Sequence, residues 1–335
     1  MEVCPFEVIG SEEIEDPKIL AQRQHLGATN ILEADASKFD PSDELRHAIN
    51  TAISVGEPLL ITGEPGTGKT QTAYYVAHKL KLGKVLHFQT KSDSTAGDLL
   101  YHFDTVRYFR EAQLASSETA HKRIDKWQYV EERELYTAIK SANETGVPRV
   151  LLIDEVDKAP RDFPNDLLHE INQMNFKFRE VEANGKMSNE VAVKEAGLKP
   201  LVFITSNSER RLPEPFLRRC VYHHIEFTES LLKRALAARV KEFRIKKEQK
   251  EQKEQKELID LAIDRFMALR QIDLRKKPAT GEFLIWLKVL AIEAETDYNT
   301  LKNKLDKSSA DLKELPYIHS LLLKDHGDSE LVKSR

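Results

Sequence analysis

Residues 58–70 read Pro-Leu-Leu-Ile-Thr-Gly-Glu-Pro-Gly-Thr-Gly-Lys-Thr, and their pattern is the strongest indication of a fold in this sequence. Its first five residues form a short apolar run between Gly56 and Gly63, which is typical of a buried parallel strand. Residues 63–70 fit the pattern G-x-x-x-x-G-K-[ST] at every fixed position. Residues 71–80 follow with apolar side chains at helical spacing. The stretch therefore predicts a strand, a glycine-rich loop and a helix in direct succession.

This order of elements predicts a phosphate-binding loop. Glycines let a backbone wrap an anion without a Cβ clash, and the N–H groups at the start of the helix converge on it. Lys69 can reach the β- and γ-phosphates as a point charge, and the Thr70 hydroxyl suits Mg²⁺. The alternative is a glycine-rich turn without a ligand, which the surrounding strand and helix disfavour. The predicted nucleotide-binding residues are Gly63, Glu64, Pro65, Gly66, Thr67, Gly68, Lys69, Thr70 and Gln71.

Further apolar runs at residues 84–88, 150–153 and 201–204 are separated by long stretches of helical character. Alternating strands and helices predict an α/β fold, with a parallel sheet covered by helices on both faces. An amphipathic helix is predicted just before Gly56, with Asp40 as its capping residue and Pro41 at its first position. Residues 176–200 alternate around the turn signal Asn184-Gly185, which predicts a β-hairpin insertion.

Two acids, Asp154 and Glu155, end the apolar run at residues 150–153. A buried strand would bring Asp154 to the carboxyl edge of the sheet, beside the phosphate loop, where it can hold Mg²⁺ through water. Glu155 can then polarise the attacking water as a general base. Alone, an acid pair at a strand end is often a solvated turn. Behind a complete phosphate loop, it indicates nucleotide hydrolysis.

Residues 201–207 form another apolar run that ends in Thr-Ser-Asn. Asn207 could orient water between Glu155 and the γ-phosphate, although such a residue is more often a strand-end cap. Two adjacent arginines, Arg218 and Arg219, follow. Their planar, permanently charged groups suit the spread charge of a phosphoryl-transfer transition state, and the alternative is an ordinary surface salt bridge.

Length and composition exclude several classes of protein. The chain has 335 residues, 40% hydrophobic and 32% charged, which suggests about two globular domains. A net charge of −4 argues against a uniformly basic nucleic-acid-coating protein, so a nucleic-acid partner is disfavoured but not excluded. Cys4 and Cys220 are not spaced as zinc ligands. With no secretory signal and no apolar run long enough for a membrane span, a cytosolic protein is expected.

After residue 227 the strand pattern stops and the chain reads as helices. Residues 246–257 repeat Glu-Gln-Lys without an apolar side chain, and lysines and glutamates nearly cancel there, so a solvated helical hairpin tip is favoured over a nucleic-acid-binding tract. The predicted division is an N-terminal extension at 1–40, an α/β nucleotide-binding domain at 41–228 and a smaller all-helical domain at 229–335.

The four motifs together resemble the AAA+ ATPases, and within them the MoxR-like group. In family terms the phosphate loop is similar to Walker A, Asp154 and Glu155 to Walker B, and Asn207 to sensor 1. Arg219 matches the arginine finger, with Arg218 as a second candidate. The resemblance implies a P-loop NTPase fold with a helical lid. It also implies ATP and Mg²⁺ as cofactors, and a ring, usually a hexamer, in which the finger reaches a neighbour's ATP.

Two insertions also resemble family features. Residues 95–100 are similar to the helix-2 insert, and the 176–200 hairpin occupies the place of the pre-sensor-1 insert, which in the family face the pore and contact substrate. As surface loops they could equally be decorative. Gly281 falls where the family usually has a sensor-2 arginine, so Lys276 or Lys277 is expected to substitute, or sensing by the lid to be weak. His223 and His224 are interpreted as structural.

The sequence thus predicts a Mg²⁺-dependent ATPase, with nucleotide between the α/β domain and the lid, that remodels an unidentified protein client. Two other classes stay open. One is a nucleotide-gated scaffold or signalling switch, motivated by the missing sensor-2 arginine. The other is a DNA-acting motor or a GTP-using restriction subunit, because a phosphate loop does not distinguish ATP from GTP.

Overall fold

The computed structural model of the protein describes residues 32–117, 125–182, 189–207, 212–237, 249–306 and 311–334. The strands, in chain order, are β1 (Leu59–Gly63), β2 (Leu86–Gln89), β3 (Tyr101–Phe103), β4 (Val130–Glu132), β5 (Val150–Asp154), β6 (Asn175–Lys177), β7 (Glu190–Ala192), β8 (Leu201–Ser206) and β9 (Val221–Ile225). The α-helices are α1 (Leu32–Asp35), α2 (Asp43–Val55), α3 (Lys69–Lys79), α4 (Thr105–Ser117), α5 (Glu134–Thr145), α6 (Phe163–Gln173), α7 (Glu214–Leu217), α8 (Glu229–Ala237), α9 (Gln249–Arg270), α10 (Thr280–Leu305) and α11 (His326–Lys333).

A five-stranded sheet organises the first part of the chain. Its strand order is β2-β5-β8-β1-β9, and every neighbouring pair is parallel. The predicted α/β fold with a parallel sheet is therefore confirmed. Because all five strands run the same way, the residues that follow β1, β2, β5 and β8 lie along one edge of the sheet.

Both faces of the sheet are buried, as expected for a parallel sheet. Alternate residues of one strand serve different cores: Leu60 packs with α5 and α6 on one face, and Leu59 and Ile61 pack with α2 and α3 on the other. All of β1 and β5 is buried. The helices on both faces leave the carboxyl edge as the place where polar groups can gather.

Two helix starts differ from the sequence predictions. Helix α2 is capped by Ser42, whose Oγ accepts a hydrogen bond from the N–H of Leu45 at 3.2 Å, so the cap at Asp40 was wrong by two residues. Ser42 suits this position because its short side chain reaches back to the first turn. Helix α3 begins at Lys69 rather than at residue 71. Lys69 and Thr70 are therefore its first two residues.

Strand β9 and the pair β3–β4 were not predicted. Strand β9 lies at the edge of the sheet and reads Val-Tyr-His-His-Ile, with Tyr222 and His224 exposed. Tyr222, His223 and His224 interrupt its apolar character, so β9 lacks the continuous apolar run that marked the other four strands of the sheet. Strands β3 and β4 have three residues each and pair antiparallel with each other. Helix α4 lies between them in the sequence.

The predicted hairpin at 176–200 is confirmed as the antiparallel pair β6–β7, with Phe176 opposite Val191. The turn signal Asn184-Gly185 lies outside the described residues. Aromatic rings join this hairpin to the β3–β4 insertion: the ring of Phe178 contacts Tyr101 at 4.5 Å and Trp127 at 5.0 Å between centroids. The two insertions therefore share one aromatic cluster.

The chain divides into two compact units, and the α/β unit is Ile31–Ala238. It is wider than the predicted range of 41–228. At its start, Leu32 and Phe39 pack beside α3, and at its end Leu231 of α8 packs into the core beneath the sheet. Residues 32–40 and α8 thus belong with the sheet, because their apolar side chains are buried there.

The described part of the second unit is helical, with α9 packed against α10. Residues 249–257 of the charged repeat form the start of α9, where Glu257 pairs with Lys302 at 2.6 Å, and residues 246–248 lie outside the described residues. None of the helices in the described part of the chain has the length and apolar character that a membrane span requires.

Candidate active site

The glycine-rich loop begins where β1 ends, and two of its glycines are required by their surroundings. Gly63 has φ +147°, and a Cβ there would lie 2.6 Å from the carbonyl oxygen of Ile225. Gly68 has φ +94°, and a Cβ there would lie 2.7 Å from the ring of Phe39. Only glycine fits such positions without strain. The loop conformation therefore depends on the neighbouring strand β9 and on the residues before α2.

Lys69 is buried against the loop that precedes it. Its Nζ donates to the carbonyl oxygens of Gly63, at 2.9 Å, and of Glu64, at 2.8 Å. Burial lowers the pKa of Lys69, while the carboxylates of Asp154, Asp157 and Glu155 oppose that effect. The ammonium group is thus held among oxygen atoms at the start of α3.

Asp154 joins the loop to two strands of the sheet. Its Oδ1 accepts hydrogen bonds from the hydroxyl of Thr70, at 2.9 Å, and from the hydroxyl of Thr205, at 2.5 Å. Thr70 lies on α3, Asp154 at the end of β5, and Thr205 on β8. Three elements predicted from separate stretches of sequence therefore meet at one carboxylate.

The second oxygen of Asp154 faces a histidine. His87 Nε2 lies 3.4 Å from Asp154 Oδ2, and His87 Nδ1 lies 3.0 Å from the hydroxyl of Tyr74. Burial alone would raise the pKa of Asp154, but the nearby His87 imidazole and the hydrogen bonds from Thr205 and Thr70 outweigh it, so the pKa is lowered. Asp154 is thus kept ionised, which suits an oxygen ligand for Mg²⁺.

Glu155 is the next residue, and its backbone is left-handed, with φ 58° and ψ 50°. This region is unfavourable for a non-glycine residue. The N–H of Glu155 donates to the hydroxyl of Thr205 at 2.9 Å. Thr205 therefore contacts both acids, one through its hydroxyl proton and the other through its lone pair.

Three side chains hold the carboxylate of Glu155. Asn207 Nδ2 donates to Oε1 at 3.2 Å, while Gln89 Nε2 at 2.8 Å and Lys158 Nζ at 2.5 Å donate to Oε2. The backbone N–H of Asn207 also donates to Asp157 at 3.1 Å. Asn207 and Glu155 are thus in direct contact, while the orientation of a water by Asn207 stays a prediction.

The match to a known family covers this same region. Residues 58–220 match the family described as AAA domain (dynein-related subfamily). The match runs from the residue before β1 to the residue before β9, and so contains the loop, both acids, Asn207 and both arginines. This segment is thus similar to an AAA domain.

Other comparisons are more distant. A comparison with curated protein sequences finds no match. Among solved structures, similar chains include a protein of Cytophaga hutchinsonii described provisionally as an ATPase, with 15% identity, a TM-score of 0.38, and coverage of 90% of this chain and 91% of that chain. NtrX from Brucella abortus matches in complex with ATP (14% identity, TM-score 0.40, 89% of this chain and 59% of that chain) and in complex with ADP (14%, 0.43, 87% and 58%). At such distances these likenesses assign no function.

The two arginines of the AAA domain lie apart from the acids. Arg218 forms an ion pair with Glu214 at 3.3 Å, one turn earlier, and both of those side chains are 80% exposed. Arg219 is exposed as well. In the described part of the chain, neither contacts Asp154 or Glu155 within the same molecule, and both guanidinium groups face solvent.

The other predicted residues are distributed as follows. Gln71 donates from its side chain to the carbonyl oxygen of Leu32 at 2.9 Å, and Glu64, Pro65 and Gly66 are exposed at the tip of the loop. Lys276 and Lys277 belong to the second compact unit and are exposed there. Asp328 accepts hydrogen bonds from the backbone N–H groups of Arg275 and Lys276, at 2.8 and 3.0 Å, and so fixes the segment that carries both lysines.

Sequence reasoning missed five residues that surround the two acids in the AAA domain: Tyr74, His87, Gln89, Lys158 and Thr205. Gln89 ends an apolar strand, and a polar side chain at the end of a parallel strand lies at the carboxyl edge. That signal was available. The contact of Gln89 with Glu155 also needs the pairing of β2 with β5, in which Gln89 lies opposite Asp154.

Proposed function

We propose that the AAA domain binds and hydrolyses ATP in the presence of Mg²⁺. The observation that carries the proposal is the position of the Asp154 carboxylate, which contacts Thr70 at the end of the phosphate loop, with Glu155 and Asn207 directly beside it. Oxygen groups that would hold a cation and a carboxylate that would accept a proton thus lie at the N-terminus of α3. That terminus suits a phosphate because its N–H groups and helix dipole face an anion.

In this proposal, the loop binds the phosphates through its backbone and Lys69. The Lys69 ammonium now contacts the carbonyl oxygens of Gly63 and Glu64. A phosphate oxygen is a stronger acceptor for an ammonium than a carbonyl oxygen. We therefore expect Lys69 to exchange at least one carbonyl contact for the nucleotide.

The residues present fit Mg²⁺. The Thr70 hydroxyl and the ionised Asp154 carboxylate supply only oxygen atoms, which this cation prefers, and they lie 2.9 Å apart. When bound, Mg²⁺ would neutralise charge on the phosphates during transfer. Thr205 keeps Oδ1 of Asp154 in place through its own hydroxyl.

Glu155 is the proposed general base, and Asn207 orients the same water. For Glu155 to accept a proton, its oxygens must be accessible to water. Gln89 and Lys158 now occupy Oε2. Hydrolysis in this proposal therefore requires that at least one of these two donors moves away.

We further propose a MoxR-like ring in which Arg219, and secondarily Arg218, acts on the nucleotide of a neighbouring copy, with the insertions contacting a protein client. The exposure of both arginines supports this, because neither guanidinium is buried within its own molecule. A hexamer, the client and a cytosolic location stay predictions from the sequence.

The test is ATP turnover by purified protein and two variants. Glu155→Gln should keep nucleotide binding and lose about 100-fold or more in kcat, because it removes the base. Lys69→Ala should lose binding itself. Competition by GTP in the same assay measures whether the site prefers adenine or guanine nucleotides.

Exposed residues of the same types provide matched controls. Lys79→Ala on α3 and Glu144→Gln on α5 change a lysine and a glutamate away from the site, and should leave turnover unchanged. Wild-type turnover in both Lys69→Ala and Glu155→Gln would overturn the assignment.

One observation favours a second function, a nucleotide-gated switch with incidental turnover. Three donors hold Glu155 in this structure, an arrangement that suits binding without hydrolysis. In that case ATP would change the size of the assembly while turnover stays near zero in wild type and in Glu155→Gln alike. Sizing with ADP and with ATP, with turnover measured alongside, separates the two functions.

A further inference from the structure

We propose that His87, held by Tyr74, is a positioning residue that fixes the Asp154 carboxylate for Mg²⁺. The inference rests on the proposed function, because it gives a role to a residue that reaches the cation only through Asp154. His87 lies on β2, Tyr74 on α3 and Asp154 on β5, so the three side chains come from three separate elements of the same compact unit.

The geometry orders the three groups in a line. The Tyr74 hydroxyl lies 3.0 Å from His87 Nδ1, and His87 Nε2 lies 3.4 Å from Asp154 Oδ2. The rings of Tyr74 and His87 meet edge to face, with centroids 6.0 Å apart. A tyrosine hydroxyl that donates to Nδ1 leaves the proton of the imidazole on Nε2, where it faces the carboxylate.

The Asp154 carboxylate is held from both sides by this arrangement. Its Oδ1 accepts from Thr70 and Thr205, so the hydroxyls fix one oxygen. Oδ2 faces His87, whose Nε2 lies 3.4 Å away, is shielded from solvent and forms no hydrogen bond in the described part of the chain, so the Asp154 carboxylate is the group available to it when Mg²⁺ draws the site together. Without His87, the carboxylate could rotate about its Cβ–Cγ bond on the Oδ2 side.

A histidine that only fills space would be buried in the same way as one that positions Asp154. Two substitutions separate these two roles. His87→Gln keeps an N–H donor near the position of Nε2 but loses the ring. His87→Phe keeps a ring of similar size but loses both nitrogens. The Tyr74 hydroxyl would lose its partner in His87→Phe, so Tyr74→Phe/His87→Phe is made as well.

The first measurement is the Mg²⁺ concentration that gives half-maximal ATP turnover. Groups that orient metal ligands typically change metal affinity by 10-fold or more, so His87→Phe and the double variant should raise this concentration by about 10-fold. His87→Gln should lie closer to wild type. Binding of a fluorescent ADP analogue in EDTA should stay unchanged in all three variants, since the loop itself is intact.

Tyr75→Phe is the matched control, because Tyr75 is the next residue on α3 and packs on Phe39 instead. It should leave the Mg²⁺ midpoint unchanged. If His87→Gln impairs the midpoint more than His87→Phe does, the ring rather than the donor matters and the proposal is wrong. An unchanged midpoint in both variants overturns it as well.

A second measurement separates failure of this inference from failure of the proposed function. In nucleotide-free protein, denaturant midpoints of His87→Phe, Asp154→Asn and the double variant form a cycle that needs no ATP. Non-additive changes support the contact between the two residues, and additive changes overturn the inference. If wild type neither binds nor hydrolyses ATP while the cycle is non-additive, only the proposed function and the metal role fail.

Discussion

At the scale of single residues, Gly63 shows how closely the phosphate loop is fitted to the sheet. Its backbone has φ +147°, and the carbonyl oxygen of Ile225 on the neighbouring strand lies where a side chain would begin. Gly56, at the end of α2, also has a positive φ of +72°, but open space surrounds it. A side chain at Gly56 would meet backbone strain alone, whereas one at Gly63 would meet both backbone strain and steric overlap.

We expect Gly63→Ala to lower the free energy of unfolding by more than Gly56→Ala. At Gly56 an alanine meets only the left-handed backbone, which costs about 1–2 kcal/mol. At Gly63 a 2.6 Å contact with a backbone oxygen is added, and that oxygen cannot move without displacing β9. Chemical denaturation of nucleotide-free protein measures both. Equal losses would show that the loop adapts to a side chain at residue 63.

Asp154, Glu155 and Asn207 could be assigned from sequence because each follows an apolar run that announces a buried strand. For Thr205 the sequence predicted only a position in the strand, although its side chain contacts both acids. Its role depends on the pairing of β5 with β8, in which Ile153 lies opposite Ile204. Strand order and register are set by long-range packing, and no local pattern specifies them.

At the scale of elements, the β3–β4 insertion and the β6–β7 hairpin are joined by more than aromatic contacts. The hydroxyl of Tyr101 donates to Glu180 Oε2 at 2.8 Å and accepts from the backbone N–H of Arg179 at 3.1 Å. The indole N–H of Trp127 donates to the carbonyl oxygen of Glu182 at 3.2 Å. Displacing one insertion alone would break all three bonds.

Tyr101→Phe should lower the free energy of unfolding by about 1–2 kcal/mol, because it leaves the N–H of Arg179 and the carboxylate of Glu180 without this partner. In a double-mutant cycle, Tyr101→Phe and Glu180→Ala should be non-additive, since both remove the bond between Tyr101 and Glu180. Glu182→Ala is the matched control, because the bond of Glu182 to Trp127 uses its backbone carbonyl. Additive effects of the first pair would mean that the two insertions are not coupled through Tyr101.

The insertions also show which elements cannot be predicted from the sequence. The hairpin was predicted because its residues alternate around a turn signal. The strands β3 and β4 escaped prediction because they have three residues each and 26 residues separate Phe103 from Val130. Pairing over such a distance leaves no periodic pattern. Strand β9 escaped for another reason, since Tyr222, His223 and His224 leave it without a continuous apolar run.

At the scale of the whole molecule, the proposed role of the exposed arginines would make ATP hydrolysis depend on assembly. Arg218 and Arg219 do not reach the acids of their own chain within the described residues, so a role in hydrolysis requires a second copy. This is a property of the complete protein in solution, and single-site variants alone do not test it.

Mixing two inactive variants does test it. Arg219→Ala keeps Glu155, and Glu155→Gln keeps Arg219, so each alone should show little turnover. If the arginine acts on a neighbour, an equimolar mixture should recover a measurable part of wild-type turnover, because some interfaces combine an intact base with an intact arginine. Arg110→Ala, an exposed arginine on α4, serves as control and should be active by itself. No recovery in a mixture shown by sizing to co-assemble would contradict action between copies.

The left-handed backbone of Glu155 has a consequence for how this protein can change. The conformation costs about 1–3 kcal/mol for a residue with a side chain, and glycine would adopt it freely. A glycine at this position would therefore give a more stable chain that has lost its proposed base. If Glu155 is the base, stability and activity make opposite demands on this one residue.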